Sequence, residues 1–215
     1  MKITLLCTDP KHPINNYLKR WVEKNNEQHE VTISRTSDEL PGGEILFLIS
    51  CHEILGEKER SMYDESFVLH ASDLPRGKGW SPHIWGILAG SNEITLTILR
   101  TEDQIDSGMI LKKVTSLIEK HALFDEINDL LFKAELELLD FAVESFGNYN
   151  FQDQDSSIES TYYKKRIPED SQINTEKSIA EQFDLLRVSD PVRYPAFFEL
   201  HGHRYKINLE KIEDE

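Results

Sequence analysis

Residues 45–50 read Ile-Leu-Phe-Leu-Ile-Ser, apolar on both faces of an extended chain, and residues 3–7 read Ile-Thr-Leu-Leu-Cys. Short apolar runs with no polar alternation predict strands covered on both sides, and such strands belong to parallel sheets packed between helices. The intervening sequence agrees. Pro13–Gln28 spaces Ile14, Leu18, Trp21 and Val22 along one helical face. Val31–Ser34 reads as a second strand and Pro41-Gly42-Gly43 as a turn. The alternation predicts an α/β fold, an open sheet with helices on both faces.

Further along, Phe67–His70 reads as a strand, followed by a polar turn through Trp80. Ser81-Pro82 predicts a helix start, with Ser as N-cap and Pro in the first turn, running to near Gly90. Strands follow at Glu93–Arg100 and Met109–Val114. A long helix is expected from about Ser116 to Phe146, its stripe formed by Leu117, Leu123, Ile127, Leu130, Leu131, Ala134, Leu138, Phe141 and Ala142. Asn148–Thr161 reads as a polar loop and Ile179–Val188 as a short helix. Phe197–Leu200 and Tyr205–Leu209, around Gly202, read as a β-hairpin. The expected division is a core over residues 1–160 and a segment over 161–215 that packs back on it.

Several functions are disfavoured. The first strand-to-helix turn, Cys7–Pro13, contains no glycine, whereas a dinucleotide fingerprint needs several there. No P-loop pattern occurs. With 24 Lys and Arg against 39 Asp and Glu, the net charge is −15, which argues against broad contact with nucleic acid or an anionic membrane. No apolar run approaches the roughly 18 residues of a membrane span, and no signal sequence is evident. Two cysteines, Cys7 and Cys51, fit a reducing compartment, so a cytoplasmic protein is expected. His201-Gly202-His203 lacks partner ligands, so no metal is expected.

Two side chains stand where chemistry could occur. His70 ends a strand just before a Pro/Gly-rich turn, and ligands of open α/β sheets bind beyond the carboxyl ends of strands. Its ordinary proton affinity near neutrality suits acid–base work. Asp106 lies in the turn Asp103–Ile110 between two strands.

These residues also carry a resemblance. His70-Ala71-Ser72-Asp73-Leu74-Pro75, then Gly79 and Ser81-Pro82-His83-Ile84-Trp85, resembles the His-x-Ser-x-Leu-Pro…Gly…Pro-Ile-x-Trp signature of folate-dependent formyltransferases. Ile105-Asp106-Ser107-Gly108-Met109-Ile110 resembles their Asp-Thr-Gly-x-Ile segment. Arg166–Ile173, Leu186-Arg187 and Tyr194–Phe197 resemble the end of the same domain, so the likeness spans roughly residues 44–209 in order.

The resemblance implies a Rossmann-like sheet and transfer of the formyl group of N10-formyltetrahydrofolate to a primary amine. His70 takes the place of the family's catalytic His and Asp106 that of its Asp. A protonated imidazole can serve the developing oxyanion, and a carboxylate can relay the proton the amine must lose. The folate loops map to His52, Glu53, Ile54 and Leu55 on one side and to Asp103, Gln104 and Ile105 on the other. One departure stands out: the family has Asn-x-His, and Val68 occupies the Asn position. Another donor could substitute, with His52 or a backbone N–H as candidates; His70 and Asp106 could act alone; or catalysis could be lost.

The wording around His70 is most similar to that of sugar N-formyltransferases, which act on nucleotide-linked 4-amino-4,6-dideoxysugars. A UDP-linked sugar of the pseudaminic-acid pathway is the narrowest expectation. A nucleotide diphosphate needs cationic donors, for which Arg76, Lys78, Lys164, Lys165 and Arg166 are the candidates, with Gly79 and Trp80 beside them. The alternatives are a glycinamide ribonucleotide formyltransferase, a formyltetrahydrofolate hydrolase and a silent ligand-binding homologue. A methionyl-tRNA formyltransferase would carry an added tRNA-binding domain, and the acidity speaks against it. The hairpin exposes an edge, and a homodimer is expected.

Overall fold

The computed structural model describes residues 1–212; the last three residues of the expected C-terminal segment, 213–215, lie outside the described residues. Among the described residues, ten strands and five α-helices follow one another. They are β1 (Lys2–Leu6), α1 (Asn15–Asn25), β2 (Glu30–Ser34), β3 (Gly43–Leu48), α2 (Glu57–Arg60), β4 (Tyr63–His70), β5 (Lys78–Gly79), α3 (Pro82–Leu88), β6 (Glu93–Arg100), β7 (Ile110–Leu117), α4 (Phe124–Glu144), β8 (Tyr162–Tyr163), α5 (Phe183–Arg187), β9 (Ala196–Leu200) and β10 (His203–Ile207).

Six strands form the main sheet in the order β2-β1-β3-β4-β6-β7. The first four are parallel, and β6 and β7 run antiparallel to their neighbours. Alternate residues of the central strands serve opposite faces. Ile3, Leu5, Ile45 and Phe47 join the large core beneath α1 and α4, while Leu6, Leu46 and Leu48 join a smaller one with Leu40, Leu55 and Tyr63. The second face is covered by the loops that carry Leu40, Cys51 and Leu55. Helices α1 and α4 are cross-linked by polar contacts: the Trp21 indole donates to Asp140 at 2.6 Å and the Tyr17 hydroxyl to Asp129 at 2.7 Å.

Three expectations of local structure change. Residues 116 and 117 extend β7, and the long helix starts at Phe124 behind a turn. Leu117, assigned to the helical stripe, is exposed at the strand end. Ser81 adopts a left-handed conformation (φ 47°) and its side chain makes no capping hydrogen bond, although Pro82 does open the helix. Ile179–Val188 resolves into a 3-10 turn, Ala180–Gln182, followed by α5.

The segment after α4 docks on the sheet through specific groups. The buried Arg187 donates to the carbonyls of Glu119 and Ala122, and Arg193 pairs with Asp9 in the loop after β1. Val188 enters the main core. Strands β9 and β10 form the C-terminal hairpin over a small cluster of Ile173, Leu186 and Ala196. The order of strands reverses between β1 and β3, and the crevice beyond their carboxyl ends is where an open sheet of this kind presents a ligand site.

Candidate active site

β4 delivers His70 to the carboxyl end of the sheet, in register with Thr97 of β6. The turn that follows is tied down at once. The Ser72 amide donates to the His70 carbonyl, and the Thr97 hydroxyl donates to the Ser72 carbonyl at 2.7 Å. The His70 ring is buried, and its Nε2 donates to the Gly77 carbonyl at 2.9 Å. That bond leaves Nδ1 as the nitrogen free to exchange a proton, because the partner of one ring nitrogen fixes the role of the other. Nδ1 stands 3.5 Å from Asp106 Oδ1, within ion-pair reach but longer than a tight hydrogen bond.

Asp106 sits at φ 54° in the turn between β6 and β7, a conformation Asp tolerates better than most residues. Its Oδ2 accepts from the Gly79 amide at 3.0 Å. Gly79 can make that approach because it lacks a side chain: at φ 93°, a Cβ there would lie 2.5 Å from the Tyr163 carbonyl. The far side of the turn is held by Gln154, whose amide donates to the carbonyls of Asp106 and Gly108 at 2.9 and 3.0 Å. Residues 152–163 thus form a strap. Gln152 bridges to Ile110, the Thr161 hydroxyl accepts from the Gly77 amide at 2.8 Å, and β8 pairs with β5.

The pair opens on a cleft of about 630 Å³. One wall carries His52, Glu53, Ile54 and Leu55 with Gln104 and Ile105, so six of the seven residues assigned to folate loops line it. Asp103 does not; it points outward and pairs with Arg60. Val68 lines the cleft beside Leu48 and Leu99 and brings no hydrogen-bond donor. Burial pushes the Cys51 thiol up to about 11 and raises that of Cys7 as well, which leaves both as packing groups.

The expected cationic residues separate. Gly79, Trp80 and Arg166 line the cleft, together with Lys165, whose ammonium lies 4.5 Å from the Trp80 ring centre. His52 packs against the same indole at 5.1 Å. Arg76, Lys78 and Lys164 do not line it. Arg76 is exposed on the turn, and pairing of β5 with β8 turns the Lys78 side chain inward against the Tyr162 ring. Lys164 is bound to Asp170 at 2.8 Å. His201 and His203 lie exposed at the hairpin tip, and no group of three His, Cys, Asp or Glu among the described residues could hold a metal ion.

Four side chains escaped the motif reading. His12 and His83 line the cleft, both held at about 4 by burial first; the Arg193 charge also acts on His12, and that of Arg166 on His83. Both rings are neutral at neutral pH. Glu135 lines it from α4, and Gln154 works from the strap. His83 stands within the Pro82–Trp85 motif, but nothing in the spacing marks it as a cleft residue.

Residues 8–143 match the family model described as Formyl transferase. The methionyl-tRNA formyltransferase of Fusobacterium nucleatum is 30% identical over 148 residues, 68% of this chain and 47% of that protein. The chain spans about half the length of the curated relatives it matches. Among solved structures, the methionyl-tRNA formyltransferase of Clostridium thermocellum superposes with a TM-score of 0.83 at 21% identity, covering 99% of this chain and 94% of that one. A sugar N-formyltransferase from Shewanella reaches 0.74 at 16% identity, covering 100% and 99%. HypX from Aquifex aeolicus, in complex with tetrahydrofolic acid, reaches 0.80 at 17% identity, covering 97% and 37%. These structural likenesses establish the fold. With the family model matching well over half of its residues, the chain belongs to the formyl transferase family.

Proposed function

We propose that the chain is an N-formyltransferase that moves the formyl group of N10-formyltetrahydrofolate to the amine of a nucleotide-linked amino-dideoxysugar. The observation that carries this reading is the buried His70–Asp106 pair at the floor of the cleft, with the two folate-loop segments on one wall. That wall suits a flat heteroaromatic ring. Leu48, Leu55, Val68 and Leu99 give it an apolar face, and Thr101, Glu102, Gln104 and Ile105 border it. When bound there, the folate supplies an activated formyl carbon.

The chain's own groups do the rest. Negative charge developing on the formyl oxygen needs a positioned donor, and a proton on His70 Nδ1 provides one. The incoming amine must shed a proton, and Asp106 Oδ1, beside Nδ1, is placed to accept it directly or through water. The Gly77 carbonyl and the Gly79 amide keep both heads from turning away. Burial keeps bulk water from the pair, which strengthens each of these interactions.

Support for a nucleotide sugar comes from charge. The chain is at −15, yet Lys165 stands over the Trp80 ring and Arg166 and Tyr162 also line the cleft, a combination that suits one small anion carrying an aromatic base. The Shewanella sugar N-formyltransferase also matches this fold over nearly its whole length. The reading places the protein in the cytoplasm as a homodimer joined through the hairpin. A second reading, transfer to an aminoacyl-tRNA, is favoured by the 30% identity to the Fusobacterium protein, and is opposed by the acidity.

Tetrahydrofolate release separates the readings. N10-formyltetrahydrofolate is supplied alone, with UDP- and dTDP-4-amino-4,6-dideoxysugars, with glycinamide ribonucleotide, and with methionyl-tRNA. Release that requires an aminosugar is expected. Release without amine would identify a hydrolase, release only with the ribonucleotide or the tRNA would move the protein to that branch, and no release would leave a binding protein.

Val68→Asn tests the missing donor. Asn is close to Val in volume, and the site faces the cleft, so the amide can reach the reacting oxygen. Turnover is expected to rise, on the order of tenfold, because a well-placed donor is worth more than that elsewhere. A fall in kcat would show that another group already fills the space.

A further inference from the structure

Glu135 is a buried acid that formyl transfer, as described, does not use. Helix α4 presents Phe124, Asn128, Leu131, Phe132 and Glu135 to the cleft, a spacing that puts them on one face. Glu135 is 7% exposed, and its Oε2 has no hydrogen-bond partner. Among the described residues no cation pairs with it, and burial pushes its carboxyl up to about 8. Leucine would satisfy the surrounding Leu131, Phe132, Leu138 and Leu139 at no such cost, since an unpaired buried polar atom is destabilising. The group therefore stands ready for a partner from outside the chain.

Its surroundings define that partner. The His12 ring packs edge-on against Phe132 at 5.9 Å and accepts at Nδ1 from the Ile14 amide. His83 has a buried, unpartnered Nδ1. Both imidazoles are neutral, and Arg193 is compensated by Asp9. This lobe thus offers neutral imidazoles and a carboxyl group between apolar walls, edged by Arg166, whose charge acts on His83, and by the Arg193–Asp9 pair, while the Lys165 ammonium stands away from it over Trp80. A neutral carboxyl group gives one O–H and one C=O, a complement to a hydroxyl that both donates and accepts.

We infer that Glu135 is a specificity-determining residue, holding a ring hydroxyl of the acceptor in the α4 lobe while the acceptor's anionic end stays at Lys165 and Arg166. The inference rests on the transferase reading for the identity of the acceptor, and on the lobe alone for the class of group it binds. It assigns polarity to the cleft: neutral, hydroxylated chemistry on the α4 side, phosphate on the Trp80 side.

Titration calorimetry tests it with four probes: UDP, dTDP and the UDP- and dTDP-linked 4-amino-4,6-dideoxyglucoses. The wild-type chain is expected to bind one aminosugar nucleotide at least tenfold more tightly than the matching nucleoside diphosphate. Glu135→Leu should erase that gain, leave the nucleoside diphosphate within about twofold, and raise the thermal midpoint. Glu135→Gln keeps a neutral donor and acceptor of the same shape and should retain the gain within about threefold. The inference is overturned if the gain is absent in the wild type, survives in Glu135→Leu, or is lost equally in Glu135→Gln. A lower midpoint in Glu135→Leu also overturns it, by giving the carboxyl a structural role. Tetrahydrofolate release is read on the same samples. A Glu135-dependent gain without turnover defeats the transferase reading alone, and turnover without that dependence defeats this inference alone.

Discussion

His70→Ala is expected to lower kcat/KM for formyl transfer by about 10³-fold, in the middle of the range for loss of a positioned acid–base group. The substitution removes the proton carrier at Nδ1 and leaves Asp106 facing a void across what was a 3.5 Å gap. Asp106→Asn should cost a comparable factor for a different reason. The amide oxygen can still accept from the Gly79 N–H, so the NH₂ group is the one turned toward the imidazole. A donor there forces Nδ1 to accept, and neither residue can then take the amine's proton. Because the two act as a unit, the double variant should be little worse than the poorer single one. Single-turnover release of tetrahydrofolate measures all three. Multiplicative losses would mean the residues act in separate steps, and near-normal turnover in either single variant would remove the pair from the chemistry.

Gly108→Ala is expected to be the most damaging conservative change in the chain. A Cβ at this position would lie 1.8 Å from the Arg100 carbonyl oxygen and 2.8 Å from its carbon. Both are backbone atoms at the end of β6, and the Arg100 amide is itself bound to the Met109 carbonyl at 2.9 Å, so the neighbour cannot yield. The turn must move, and Asp106 moves with it. A stability loss of about 3 kcal/mol is expected, at the upper end for overpacking, with transfer falling as far as in His70→Ala. Gly147→Ala is the control. Its φ of 81° strains any side chain, but nothing lies within 4 Å, so about 1 kcal/mol is expected. Urea unfolding compares the two, and equal midpoints would show that the β6–β7 turn relaxes freely.

The sheet was legible because strands such as Ile45–Ser50 have one solution, burial on both faces, and the structure places β3 at the centre of the sheet. His70 was singled out by its place at a strand end, whereas the turn of Asp106 is ordinary on its own and was paired with His70 only through the resemblance of their motifs. Other features left weaker traces. The hydrophobic period of residues 116–123 fits a helix as well as a strand, and only pairing of Ile94 with Ser116 and of Glu93 with Leu117 decides it. Arg76, Lys78 and Lys164 were chosen for charge on motif loops, and charge does not say which way a side chain points. Glu135 was hidden by the opposite rule, since an acid on an amphipathic helix is assigned to solvent unless a cavity is known beneath it. The strap was hidden because Gln152 and Thr161 act through backbone-directed hydrogen bonds, which impose no pattern on a polar loop.

That strap bears on where this protein can be cut and recombined. The family model ends at residue 143, but the two turns carrying His70 and Asp106 are fastened by Gln152, Gln154, Thr161 and Tyr163. A shuffled chimera joined just after α4 would inherit His70 and Asp106 without their moorings. The productive crossover point lies beyond residue 163, where the strap and the cleft face of α4, Glu135 included, travel with the two turns they hold.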